Sequence, residues 1–237
     1  MANVWKIAPG QKAIFWDMCR EKRCIVIGWL HNKDLREFTS EDEILHALKQ
    51  TNAGGKPEGG PRAAKSIWRF FHEVRPSDVI VANKGLSAIA GIGVVKDGTG
   101  GDYLPPGSQD NPSVEEHHRH TRLVNWLIDK PINLKQKHFF VQDTVWPLTP
   151  EQCEQIKQAC LKEYPEYKDT LDRLFPAPPP RPIGAKMKEL LEQFGQVILY
   201  GPPGTGKTRE AQRAAIALLG GDEPKPDAKG QEIQEQL

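Results

Sequence analysis

Gly201-Pro202-Pro203-Gly204-Thr205-Gly206-Lys207-Thr208 places the tightest limit on what this chain can fold into. It reads G-x-x-x-x-G-K-T, a phosphate-binding loop. Its glycines let backbone N–H groups approach phosphate oxygens. Lys207 would neutralise the β- and γ-phosphates of GTP or ATP, and the Thr208 hydroxyl would ligate Mg²⁺. The flanks agree: Val197-Ile198-Leu199-Tyr200 reads as a short buried strand, and Thr208 to Leu219 as a helix whose N-terminus faces the anion. Gly220-Gly221 ends that helix.

Only Arg209 to Leu237 follow the loop. A nucleotide-hydrolysing domain of this kind needs a second strand ending in an acidic residue for the metal, and a group that positions water. Neither is visible, and Asp222 to Leu237 is polar with Pro224 and Pro226, an expected disordered tail. The expectation is the opening strand–loop–helix of a truncated α/β domain over 183–221, without hydrolysis by this chain alone. Pro176-Ala177-Pro178-Pro179-Pro180-Arg181-Pro182 is a semi-rigid spacer, so residues 176–182 form the expected linker.

The complete domain therefore lies upstream. Residues 1–150 carry 20 Lys and Arg against 17 Asp and Glu, and all seven histidines. That balance permits a polyanionic partner without demanding one. Cys19, Cys24, Cys153 and Cys160 contain no C-x-x-C pair, which points to reduced thiols in a cytoplasmic protein. His117, His118 and His120 lack the spaced partners of a zinc site, so no zinc is expected. No apolar leader or membrane-length window occurs, which implies no membrane partner.

Short β-rich runs dominate residues 1–148. Extended segments are expected at Val4–Ile7, Lys12–Met18, Arg23–Leu30, Val79–Asn83, Ala88–Lys96, Thr121–Ile128 and His138–Gln142, the second and third forming a hairpin. Gly91 and Gly93 suggest a bulge or close backbone approach. Ser40-Glu41-Asp42-Glu43 reads as a capping box opening a helix to Gln50, and Thr149-Pro150-Glu151-Gln152 as another, opening a connecting helical segment over 149–175. Arg62 to Val74 reads as a helix with Ala63, Ala64, Ile67, Phe70, Phe71 and Val74 inward. Arg62, Lys65, Arg69 and His72 line another of its faces, either a solvated surface or a row of phosphate contacts. The spacing predicts an α+β fold: a partly open β-barrel with flanking helices.

Trp5-Lys6-Ile7-Ala8-Pro9-Gly10, Phe15-Trp16-Asp17, Ile27-Gly28-Trp29, Val79 to Gly85, Gly91-Ile92-Gly93-Val94-Val95 and His120-Thr121-Arg122 together resemble the EVE domain. That family belongs to the PUA-like superfamily, related to YTH readers of methylated adenine. An EVE domain before a GPPGTGKT loop resembles McrB-type restriction subunits. There a reader recognises modified DNA, and an AAA+ motor ring drives an McrC-type nuclease. The resemblance implies a flipped base held in an aromatic pocket. Trp29 is the first choice of pocket wall and Trp16 the second. Asp17 and Asn83 would read the base edge, and Lys84 and Ser87 would hold the DNA backbone beside them. Methyladenine, methylcytosine and hydroxymethylcytosine all remain open as the base, as do GTP and ATP as the nucleotide. The alternatives are an active NTPase completed by another chain or a longer gene product, and an RNA-binding PUA-like module.

Overall fold

The computed structural model describes residues 2–176, apart from 51, 54, 55, 58, 98–102 and 114–117, together with isolated positions from 191 to 215. The phosphate-binding loop, 201–208, lies outside the described residues. So do the spacer from 177 onward, the expected tail and, isolated positions aside, the rest of the expected 183–221 fragment. The chain divides into two compact units, Met1–Ala177 and Pro178–Leu237.

The first unit alternates short strands and helices. In order they are β1 (Val4–Ile7), α1 (Trp16–Glu21), β2 (Cys24–Ile27), α2 (Glu41–Gln50), β3 (Asn52–Ala53), β4 (Lys56–Pro57), α3 (Pro61–Trp68), β5 (Val79–Lys84), β6 (Ala88–Val95), β7 (Tyr103–Leu104), β8 (His120–Ile128), β9 (Ile132–Asn133), β10 (Val145–Pro147), α4 (Pro150–Glu163) and α5 (Lys168–Leu174). An eight-stranded sheet runs β10-β1-β5-β6-β8-β2, with β7 on β8 and β9 on β6. β1 and β5 are parallel, and the other pairs of this sheet are antiparallel. The sheet curls into a half-barrel in a mixed α+β fold.

Both faces of the sheet are covered, because side chains alternate along a strand. On β5, Ile80 and Ala82 join one core with β1, β2, α2 and α3, while Val79 and Val81 join a second core beneath α4 and α5. Burial on both faces explains why β2 reads as an unbroken apolar run. Ile156, Cys160 and Leu171 seal the second core. The expected connecting segment 149–175 is thus an integral wall of the first unit. Thr149 and Gln152 form the predicted capping box. At the other predicted box, Ser40 Oγ accepts from Glu43 N, and the Glu43 carboxylate accepts the Thr39 N–H at 2.7 Å with the Ser40 N–H beside it.

The predicted strand at Lys12–Met18 is absent, and with it the hairpin. Lys12 and Ala13 take left-handed φ values of 53° and 60°, and α1 starts at Trp16. Trp16 decides the local outcome. A Cβ on Gly91 would stand 2.2 Å from its ring, and the indole lies edge-on to Trp126 at 4.8 Å. Burying the ring over a glycine outweighs β propensity. β2 pairs instead with β8. His138–Gln142 is irregular as well, with Phe139 and Phe140 plugged into the second core, and the strand follows at β10.

α3 keeps its predicted apolar stripe but ends in a wide π turn, Arg69–Glu73. Arg122, 1% exposed, donates to the Phe70 carbonyl at 2.6 Å and the Phe71 carbonyl at 2.8 Å. Those carbonyls serve a buried cation, and the helix closes through Val74 N to Arg69 O instead.

Gly93 shows how close the backbones pass. A Cβ there would lie 2.6 Å from the Asn125 carbonyl oxygen, beside a register shift in the β6–β8 pairing. Backbone cannot yield as a side-chain tip can. Gly93→Ala should therefore cost about 1–3 kcal/mol in urea denaturation, the usual penalty for overpacking. Unchanged stability would show that β6 and β8 can separate there.

Candidate functional site

A recess of about 680 Å³ opens in the first unit. β1 and β5 run parallel, so Ala8, just past β1, and Asn83, near the end of β5, lie at the same end of the sheet, and β10, antiparallel to β1, begins there. The turn Gly10–Lys12 forms one wall, and Val141, Gln142 and Thr144 another. The turn after β5 contributes Gly85 and Leu86. Gly28 and Trp29, just past β2, close the recess with His118 from the approach to β8.

The lining is basic. Lys6, Lys12 and His118 face it and no Asp or Glu does, among the described residues. Lys6 is 1% exposed, and its Nζ donates to the carbonyls of Val141 and Asp143. Burial lowers its pKa to about 8, with the Asp143 carboxylate pulling the other way. At neutral pH it is a charged ammonium clamped to the wall segment. The His118 ring packs on Phe15 with centroids 4.3 Å apart.

Left-handed backbone gathers here: Gly10, Lys12, Trp29 and Gly85 all have positive φ and all line the recess. Such conformations are uncommon outside glycine and persist only where surroundings enforce them. For Trp29, at φ 69°, the enforcement is visible. His120 Nε2 lies 3.1 Å from the Trp29 carbonyl and 3.2 Å from that of Leu30. Carbonyls only accept, so Nε2 carries the proton and Nδ1 is the acceptor of the Tyr103 hydroxyl at 2.8 Å. Tyr103 Oη in turn accepts from Leu35 N. This buried relay fixes the backbone of the loop that carries Trp29.

Of the sequence-predicted residues, Trp29 and Asn83 meet at the recess. Trp16 and Asp17 do not: Trp16 packs on Gly91 and Trp126, and the Asp17 side chain is 91% exposed, 3.6 Å from Arg20. Lys84 is exposed and Ser87 half-buried, beside the wall formed by Gly85 and Leu86. Arg62 and Lys65 are exposed on α3. Arg69 is not part of any exposed row. It is 7% exposed, donates to Val145 O at 3.3 Å, and stacks 4.3 Å from the Trp146 ring. His72 stacks on Trp68 at 3.7 Å. Sequence reasoning missed Lys6, His118 and the 141–144 wall. A lysine between Trp5 and Ile7 in an apolar strand was the available signal for the first. Nothing in the sequence marked the wall, which is irregular backbone.

The family comparison rests on the same region. Residues 5–149 match the family model described as Domain of unknown function (DUF8426). The chain belongs to that family. No curated protein and no solved structure matches the chain. Every residue lining the recess falls inside the DUF8426 span.

The relay makes the domain acid-sensitive. Burial pushes the His120 imidazole down to about 4, against the pull of the Leu30 and Trp29 carbonyls toward the charged form. An unfolded histidine titrates near 6.5. Between those values the unfolded chain holds a proton that the folded chain lacks, so stability falls as pH drops through the window. The loss should reach about 3 kcal/mol by pH 4. Denaturation at pH 7 and pH 4.5 should show it, and His120→Gln should remove most of the slope. A flat wild-type profile would contradict the buried neutral imidazole.

Proposed function

We propose that the first unit is an EVE-like, PUA-like reader that binds DNA carrying a modified base by drawing that base into the Trp29 recess. The observation that carries this is the meeting of Trp29, Asn83, Lys6 and Lys12 in the lining of one cavity, with no acidic residue there among the described residues. A volume of about 680 Å³ suits a nucleotide-sized ligand. Extruding a base costs a few kcal/mol. Stacking on an aromatic face returns about 1–3 kcal/mol per base, and the indole adds apolar contact to a methyl group. Lys12 and Lys84, exposed at and beside the rim, are placed to meet the flanking phosphates. Arg62 and Lys65 are further candidates for backbone contact, while Arg69 is occupied inside the fold.

The second part of the proposal rests on sequence. Gly201–Thr208 would hold GTP or ATP with Mg²⁺, as the start of an McrB-like motor that self-assembles and works with an McrC-type nuclease. Lys207→Ala should abolish nucleotide binding. Turnover by the chain that Lys207→Ala removes would instead favour an active NTPase.

Trp29→Ala should weaken binding to a DNA duplex with one modified base by about tenfold to a hundredfold, the worth of one stacked base. Binding to the unmodified duplex, whose bases stay paired, should change far less. Lys12→Ala should weaken both alike and flatten the salt dependence. Equal losses on both duplexes for Trp29→Ala would remove the indole from base recognition. Tighter binding to matching RNA than to modified DNA would turn the reading toward an RNA-binding module.

A further inference from the structure

Asn83 belongs to the lining of the recess, and the fold leaves one of its polar atoms without a partner. Asn83 is 3% exposed, and its Nδ2 donates to the Gly85 carbonyl at 2.6 Å. Its Oδ1 is buried with no hydrogen-bond partner among the described residues. The amide cannot be turned round, because Oδ1 would then face the Gly85 carbonyl, acceptor against acceptor. The open atom is therefore an acceptor by construction. Local structure explains its place. The β5–β6 register shifts between Ala82 and Asn83, and such irregularities re-aim side chains. Gly85, at φ 65°, turns the chain so that its carbonyl meets the amide. The other buried polar group of the lining, Lys6, donates to Val141 and Asp143 and leaves this acceptor unserved. A buried acceptor without a donor is costly, about 1–3 kcal/mol.

We infer that the recess selects bases bearing an exocyclic amine, adenine and cytosine and their modified forms, over bases that present a carbonyl at the same edge. This rests on the reading of the recess as a base pocket. An amine, also after a single N-methylation, offers an N–H to Oδ1. Thymine, uracil and hypoxanthine offer an oxygen lone pair there, and both acceptors then stay unsatisfied in a buried site. Asn83 is thus a specificity-determining residue, while Trp29 supplies stacking that any base can use.

The test uses the full chain and single-stranded DNA oligonucleotides, where no base pair has to open. Each pair differs at one central base: 5-methylcytosine against thymine, 5-hydroxymethylcytosine against 5-hydroxymethyluracil, and adenine against hypoxanthine. The wild-type chain should bind the amine member about tenfold to a hundredfold more tightly. Asn83→Ala should bring each pair close to equality, and Trp29→Ala should weaken both members together. Equal binding within pairs by the wild type, with Trp29→Ala still weakening both, would overturn the inference and leave the pocket reading standing. No effect of Trp29→Ala on any oligonucleotide would overturn the pocket reading beneath it. Should Asn83→Ala fail to fold, the wild-type pairs decide the matter alone.

Discussion

Buried positive charge governs this fold. Lys6, Arg69 and Arg122 are each removed from water, and each is held by backbone carbonyls. A buried cation without partners is far too costly to keep, so the chain must bring carbonyls to it. Free carbonyls occur where regular pairing starts, stops or widens. Lys6 therefore draws in the irregular stretch through Val141 and Asp143, Arg69 takes the carbonyl of Val145 where β10 begins, and Arg122 takes the carbonyls at the widened end of α3. The same stretch is a wall of the recess. Burial also leaves Arg122 with a pKa lowered to about 9, a sign of how little water reaches it.

The recess follows from that arrangement. The two sheet faces are committed to separate cores, so neither can house a ligand. What remains is the end of the sheet where β1 and β5 stop and β10 begins. Three connecting segments meet there, each with left-handed backbone: Gly10–Lys12, Trp29 and Gly85. The relay from Leu35 through Tyr103 and His120 reaches the Trp29 carbonyl from inside the first core. The backbone of the half-buried Trp29 is thereby fixed by buried groups. Preorganisation of this kind lowers the ordering cost of binding.

Much of the sheet was legible in the sequence, and the reason is burial. β1, β5, β6 and β8 present the apolar runs that two-sided covering requires, and the glycines of β6 sit where an indole and a neighbouring backbone press against it. The segment from Lys12 to Met18 was not legible. Its β-forming residues suggested a strand, yet its length is taken up by a left-handed turn and a short helix that seats Trp16. Arg69 misled for a related reason. Helical spacing put it in a row with Arg62 and Lys65, and only the position of Trp146 and the Val145 carbonyl drew it inward. The recess was half legible: Trp29 stood out at a strand end beside a glycine, whereas Trp16 looked equivalent and packs on Gly91 and Trp126 instead.

By itself the sequence determined the G-x-x-x-x-G-K-T pattern, the break in composition near residue 176, the strand-rich first domain and its capped helices. These depend on local rules, on alternation, capping and glycine geometry, which act over a few residues. The tertiary structure decided which of two tryptophans borders the cavity, which basic residues stay exposed, and which atom of Asn83 is left without a partner among the described residues. Those outcomes turn on contacts between segments up to 137 residues apart, such as Lys6 with Asp143, and no local rule carries information over that distance.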